Sequence, residues 1–248
     1  MGYEILGIDV GGSGIKGAIV DVESGVLVTE RHRIETPQPA TPQSIAETIK
    51  KIADHFNYQG KIGCGFPSVI KNGVIKTASN IDQSNVGVNA NELFSKITGR
   101  EVTVVNDADA AGFAEVTFGA GKNLKGLVLI ITIGTGIGSA LFIDGKLVPN
   151  TEFGHIYMHN GKVAEKYTSD AVRKKEDLKW KEWGKRFNKY LKYMDFLLNP
   201  QLIILGGGAS KKMEKFQDQL TLETPVKPAN LLNEAGIIGA AAIVQQNK

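Results

Sequence analysis

A unit of strand, glycine-rich turn, strand, acidic turn and strand occurs twice in this 248-residue chain, at residues 4–34 and again at 127–149. At one constant offset Asp9 aligns with Thr132, Gly11 with Gly134 and Asp21 with Asp144. A supersecondary unit of this kind cannot bury its apolar face alone and must be covered by the chain that follows it. The duplication therefore predicts two related α/β lobes, each opened by the same unit, with a cleft between them. The rival reading is coincidence, since glycine-bounded hairpins are common. The length is sufficient to give each of two small lobes its own core.

The segments between the repeats alternate in type. After Glu4–Val10 come strands over Ile15–Val22 and Val26–Ile34, then a proline-rich connector over residues 35–42. Ile45, Ile49, Ile52 and Phe56 fall on one helical face, with Thr41 as N-cap and Pro42 at the first helical position. Strands are expected over Lys61–Phe66, Val102–Val105, Leu127–Ile133, Ser139–Ile143 and Leu202–Leu205. Helices are expected over Asn89–Ile97, stopped by Gly99, from Asp107 onward, across the Lys- and Trp-rich Ala164–Leu198, and over Glu234–Val244. Asn72-Gly73 and Asp144-Gly145 read as tight hairpin turns.

Gly12-Ser13-Gly14-Ile15-Lys16-Gly17 matches G-x-G-x-x-G in form. A dinucleotide site needs a helix directly after the loop, so that its N-terminus meets the pyrophosphate. Here β-branched, alternating sequence follows, which excludes that reading, and no G-x-x-x-x-G-K-[ST] is present. A glycine hairpin can still bind phosphate, because consecutive backbone N–H groups converge with no Cβ in the way. Gly11, Gly12, Ser13 and Lys16 form one such candidate, Thr132, Gly134, Thr135 and Gly136 a second, and Gly206 and Gly207 a third. The plain alternative is a set of tight hairpins without a ligand.

At residues 104–111 two carboxylates, Asp107 and Asp109, follow Asn106 at the start of a helix. Asp is a favoured cap and first-turn residue, so capping alone accounts for one of them. Two acids and an amide exceed what a cap requires, and a carboxylate at such a corner can accept a proton from a substrate hydroxyl. Glu152-Phe153-Gly154-His155 can aim two further polar side chains from one loop.

The remaining composition excludes more than it assigns. A formal charge of +3 demands no nucleic-acid or membrane partner. One cysteine, Cys64, excludes an intrachain disulfide framework and a cysteine-rich zinc site, and fits a reducing compartment. No signal peptide or membrane span is expected, and the location is taken as cytoplasmic. Lys162–Lys192 is rich in Lys and Arg, which suits either a long polyanion or a solvated helix face paired with its interspersed acids.

Five motifs in this order resemble the ROK family of sugar kinases and, within it, the polyphosphate glucokinase group. They are Ile8–Ser13 with Lys16, Val105–Ala110, Gly134–Gly138, Glu152–His155 and Gly206–Gly208. The resemblance implies an α/β, actin-like (ribonuclease H-like) ATPase fold of two lobes, 1–107 with 235–248 and 108–234. It implies Asp107 as the base acting on the 6-hydroxyl of glucose or a related hexose such as mannose. Asn80, Asn106, Glu152, His155 and Glu165 are then sugar ligands, and Asp9 sits near Mg2+, through water. The donor is inorganic polyphosphate or ATP, and the assembly a homodimer. ROK members usually carry a Cys-rich zinc motif after the His; here 161–169 lacks cysteine, Glu165 matches its terminal Glu, and no zinc site is expected. Asn85 stands near the place of a Trp usual after Asn80-Ile81-Asp82. Some ROK proteins are repressors with an N-terminal helix-turn-helix, for which the motif at Ile8 leaves no room; a non-catalytic sugar-binding regulator is the other alternative.

Overall fold

The apolar run of residues 4–10 is strand β1 (Glu4–Val10), folded back antiparallel onto β2 (Ile15–Asp21), so that Val10 pairs with Ile15. The structure, a computed structural model, describes residues 3–78 and 81–246. Its contacts divide the chain into two units, Met1–Ala114 with Glu234–Lys248 and Glu115–Asn233. The sequence reading sets that division at 107/108; in the structure it falls inside a helix, between Ala114 and Glu115.

In the first unit β2 also pairs with β3 (Val26–Leu27) and β4 (His32–Ile34), while β5 (Ile62–Phe66) and β8 (Val102–Asn106) extend the sheet parallel to β1. The order is β3-β2-β1-β5-β8. A small hairpin, β6 (Ile70–Lys71) with β7 (Val74–Ile75), turns at Asn72 and Gly73, whose φ values of 52° and 75° suit a primed turn. Side chains alternate across a strand. Ile8 therefore joins helices α1 (Pro42–His55) and α2 (Ala90–Thr98) in one core, with Ile45, Ile49, Ile52 and Phe94. Gly7 and Gly63 face α8 (Ala235–Gln246) instead, and a Cβ on Gly63 would stand 1.8 Å from the Ala240 carbonyl oxygen. The glycines let α8 lie directly on the strands. Thr41 accepts the Ser44 N–H at 3.2 Å, and Gly99 ends α2 in the left-handed region, both as the sequence indicates.

The second unit repeats the plan. Strands β9 (Leu127–Ile133), β10 (Ile137–Ile143) and β11 (Lys146–Val148) form an antiparallel meander, with β12 (Leu202–Gly206) parallel to β9 and β13 (Val226–Pro228) outside it. Its order, β11-β10-β9-β12-β13, begins as the first sheet does. The offset between the repeats is not constant in three dimensions, however. The first turn has four residues, 11–14, and the second three, 134–136, so Asp21 closes β2 whereas Asp144 is already in the turn at φ 51°.

Helix α3 (Asp107–Thr117) follows β8 directly, and α7 (Gly207–Ser210) follows β12. Two expectations are corrected. The strand over Val26–Ile34 is broken, because the Thr29 hydroxyl takes the Ile19 N–H at 3.0 Å and replaces a ladder bond. The single helix over Ala164–Leu198 is three, α4 (Glu165–Thr168), α5 (Asp170–Lys175) and α6 (Trp180–Leu198). Ser169 caps α5 through the Val172 N–H at 3.3 Å, and Asp177 adopts φ 48°, so the chain is restarted at one point and reversed at the other. Trp183, Phe187, Tyr190, Leu191 and Met194 of α6 are fully buried against Leu129, Ile131 and Ile203. Burial of each such side chain contributes roughly 1.5–3 kcal/mol. Among the described residues no helix is long and apolar enough to cross a membrane.

Candidate functional site

In the first unit Asp9 pairs in register with Lys16 on β2 and Gly65 on β5, and Gly65 with Val105 on β8. Asp9 and the Asn106–Asp107 corner thus emerge at the same carboxyl-terminal end of three parallel strands, where ligands of open α/β sheets gather. Two strand spacings separate their backbones, roughly 10 Å. The Lys16 ammonium stands 3.4 Å from the Asp9 carboxylate, both partly exposed.

The 11–14 turn is held from outside. Gly11 donates its N–H to the Gly14 carbonyl at 3.1 Å, the Thr36 hydroxyl donates to the Gly11 carbonyl, and Arg33 Nη2 donates to the Ser13 carbonyl at 2.6 Å. Gly12 and Ser13 remain exposed at its tip. Sequence reasoning missed Arg33 and Thr36 as supports. Pairing of β4 with β2, which sets Arg33 opposite Lys16, is what brings them there.

At the corner the buried Asn106 side chain is engaged at both ends. Its oxygen accepts the Asp109 N–H at 3.0 Å and its Nδ2 donates to the Ser68 carbonyl at 3.1 Å. Asn106 is therefore the cap of α3, and Asp107 occupies the first helical position, where its Oδ1 accepts the Ala108 N–H at 2.8 Å. Asp109 is buried. Asn80 lies outside the described residues.

In the second unit Thr132 pairs with Gly138 and Gly206, at the matching end of β9. Gly134 donates to the Gly136 carbonyl at 3.0 Å and accepts from Ala171 at 3.3 Å. Gly134 and Thr135 are exposed, and a Cβ on Gly134 would meet nothing within 4 Å. Packing therefore does not account for that glycine. It does account for Gly207, whose φ is +77° and whose added Cβ would stand 2.5 Å from the Ile133 carbonyl oxygen. Gly206 is buried beside Thr132.

The 152–155 turn lies against the same hairpin. A Cβ on Gly154 would stand 2.2 Å from the Ile137 carbonyl oxygen. The buried Ser139 hydroxyl, at 2.7 Å from the Thr151 carbonyl, also takes the Phe153 N–H at 2.9 Å. Ser139 was not singled out from the sequence; a polar residue inside an apolar strand is the signal that could have marked it. His155 Nδ1 stands 3.2 Å from Glu152 Oε2. Burial raises the Glu152 carboxyl above its ordinary value, the nearby Glu165 charge adds to that, and His155 works against it. Glu165 itself leans on the phosphate-type turn: its Oε2 is 3.4 Å from the Ile137 N–H, and its Oε1 is 3.0 Å from Lys166. Residues 156–164 close on themselves, with Met158 and Lys162 joined at 2.9 Å and Ala164 and Ile156 at 2.9 Å.

The first unit thus gathers Asp9, Gly11, Gly12, Ser13, Lys16, Asn106 and Asp107, and the second Thr132, Gly134, Thr135, Gly136, Glu152, His155, Glu165, Gly206 and Gly207. Among the described residues no three His, Cys, Asp or Glu side chains stand together as a metal-binding group. A lone carboxylate such as Asp9 nevertheless fits Mg2+, which keeps several waters and is held by one or two carboxylates together with substrate phosphates.

The family model described as ROK family matches residues 5–171. The chain is 48% identical to the polyphosphate glucokinase of Mycobacterium tuberculosis over 95% of its own length and 89% of that protein's. The crystal structure of an inorganic polyphosphate/ATP-glucomannokinase from Arthrobacter sp. strain KM matches with a TM-score of 0.95 at 44% identity, covering 99% of this chain and 100% of that one. A ROK family glucokinase from Streptomyces griseus, in complex with glucose and AMPPNP, matches with a TM-score of 0.84 at 23% identity, covering 98% and 100%. The fold is the actin-like ATPase fold of these sugar kinases.

Proposed function

The chain belongs to the ROK family, and from that premise we propose that it transfers a phosphoryl group from inorganic polyphosphate, ATP or both to the 6-hydroxyl of glucose, and of mannose. The observation that carries the reading is the division of labour at the β8–α3 corner. Asn106 takes the Asp109 N–H as the cap of α3, so Asp107, whose Oδ1 accepts the Ala108 N–H, is not required for that bond.

In this reading the Asp107 carboxylate takes the proton of the 6-hydroxyl as that oxygen attacks the terminal phosphorus, and the bond to the donor's bridging oxygen breaks. Glu152, His155, Glu165 and Asn80 orient the remaining hydroxyls. Asn106 contributes the one amide N–H that its two backbone partners leave over. Backbone N–H groups of Gly12, Ser13, Thr135 and Gly136, with Lys16 and the Thr135 hydroxyl, hold the donor phosphates, while Gly11 and Gly134 use their N–H groups to close the two turns, and Gly206 and Gly207 shape the site beside Thr132. Asp9 would hold Mg2+ through water, and the ion would neutralise charge on the phosphates. The catalytic work of the protein is positioning and charge neutralisation. The reading includes the two units as lobes, a homodimeric assembly and a cytoplasmic location; the single, buried Cys64 is in keeping with the last.

The test is turnover of glucose and mannose with ATP and with polyphosphate, on the native chain and Asp107→Asn. Turnover with either donor is expected, lost by about 10²–10⁴-fold in the variant with sugar binding retained. Unchanged turnover in Asp107→Asn overturns the base; turnover with ATP alone overturns polyphosphate as donor.

A further inference from the structure

The basic segment 162–192 separates into two parts. On α4, α5 and the inner side of α6 every cation but Lys175 has an acid: Lys166 with Glu165, Arg173 and Lys174 with Asp170, Arg186 with Glu176. Lys181, Lys185, Lys189 and Lys192 do not; all four are exposed and none makes an ion pair with a described residue. At 100° per residue they fall within one narrow arc on the face opposite Trp183, Phe187 and Met194. They span about 16 Å at 1.5 Å per residue.

The arrangement is unfavourable for the helix by itself. Lys181/Lys185, Lys185/Lys189 and Lys189/Lys192 are like-charged neighbours at i,i+4 or i,i+3, each destabilising. Lys181 also stands in the first turn, where the dipole disfavours a cation. The nearby Glu182 relieves neither, since its carboxylate turns back onto the Lys179 N–H at 3.3 Å.

The stripe begins at the phosphate-loop end of its unit. A three-residue connection, 199–201, joins α6 to β12, so the helix runs back along the sheet and its first turn lies where β9 and β12 end. Two hydrogen bonds trace the link: Ala171 to the Gly134 carbonyl at 3.3 Å, and Trp183 Nε1 to the Thr168 carbonyl at 2.9 Å.

We propose that the Lys181–Lys185–Lys189–Lys192 stripe is a docking track for the distal, non-reacting part of a linear polyphosphate chain whose terminal residues occupy the Gly134–Gly136 turn. The proposal rests on polyphosphate being a donor. A flexible chain with charge at every residue matches cations repeated along a helix, and ATP is too short to use them. The track thereby selects for chain length, acting on donor KM and leaving the chemical step alone.

The experiment compares the native chain with the quadruple variant Lys181→Gln, Lys185→Gln, Lys189→Gln, Lys192→Gln and with the corresponding quadruple Arg variant. KM for long-chain polyphosphate is expected to rise on the order of tenfold in the Gln variant, with KM for ATP and triphosphate unchanged and the Arg variant near native. The salt dependence of long-chain binding should weaken by a log–log slope of about 3, as for four lost contacts to a single-stranded polyanion. An unchanged long-chain KM overturns the track, as does an equal rise for ATP. Direct binding of long-chain polyphosphate is also measured on Asp107→Asn with and without the four Gln substitutions. If the native chain fails to turn over polyphosphate, the donor reading fails, and this binding arm still decides the track: a loss on substitution supports it, and none overturns it. If an oligonucleotide of matched charge binds as tightly and loses as much, the surface serves polyanions generally and the assignment to polyphosphate falls.

Discussion

The side-chain oxygen of Asn106 accepts the backbone N–H of Asp109 at 3.0 Å, and this one bond decides what Asp107 can be. A helix start directly after a strand needs a cap, and the residue that supplies it is tied down. Asn106 is also anchored to Ser68 across the sheet. Asn106→Ala removes the cap and leaves the Ser68 carbonyl without that donor, and is expected to cost about 1–3 kcal/mol of stability in urea unfolding. Because Asp107 stands on the turn so loosened, kcat should fall as well; native kcat in the variant would show that the corner is positioned by other contacts.

Two glycines of the second unit make opposite predictions. Gly154→Ala places a Cβ 2.2 Å from the Ile137 carbonyl oxygen, so the 152–155 turn must move. A cost of about 1–3 kcal/mol is expected, with a raised sugar KM. Gly134→Ala meets no protein atom within 4 Å and should unfold with the native midpoint. Its effect should fall on donor KM. A Gly134→Ala chain with native donor KM removes that turn from the donor site.

Glu152 sets an acid limb. Burial keeps its carboxyl above the ordinary value of 4.5, so protonation begins at a higher pH than for an exposed Glu. The protonated carboxyl loses its charge and turns one oxygen into a donor, so its hydrogen bonds to sugar hydroxyls weaken; sugar KM should rise as pH falls through that raised value, and Glu152→Gln should abolish the limb. The stability sign is the reverse. A carboxyl raised in the folded state favours folding below its unfolded pKa, and that contribution is lost as pH rises through the folded value. Thermal midpoints of native and Glu152→Gln chains should therefore draw together toward low pH.

Glu115 is a structural prediction. Its buried carboxylate accepts the N–H groups of Ala120 and Asn230, each at 3.0 Å, and of Leu231 at 2.7 Å. Glu115→Gln presents an amide N–H to at least one of these donors and should destabilise by about 2–4 kcal/mol in urea unfolding. A smaller loss would mean that water replaces the missing acceptor.

The glycine turns, the Thr41 cap, the Gly99 stop, the Asn72-Gly73 and Asp144-Gly145 reversals and the order of strands were legible because each rests on residues a few positions apart. The break of 164–198 into three helices was partly so: Ser169 is a local cap, but the reversal at Asp177 has no glycine to announce it. Arg33, Thr36, Ser139 and Glu115 were not legible. Each acts on backbone groups brought near by pairing or by the course of the chain, over separations of up to 116 residues for Glu115.

The sequence by itself determined the duplicated β unit, the family and the residue types available for chemistry, since periodicity, turn chemistry and motif order are local properties. Only the tertiary structure decided that Asn106 rather than Asp107 caps α3, that Gly134 answers to no packing constraint while Gly207 does, and that the offset between the repeats slips by one residue. Those facts turn on which backbone N–H, carbonyl or Cβ position lies within a few ångströms of another, and a linear pattern does not carry distances.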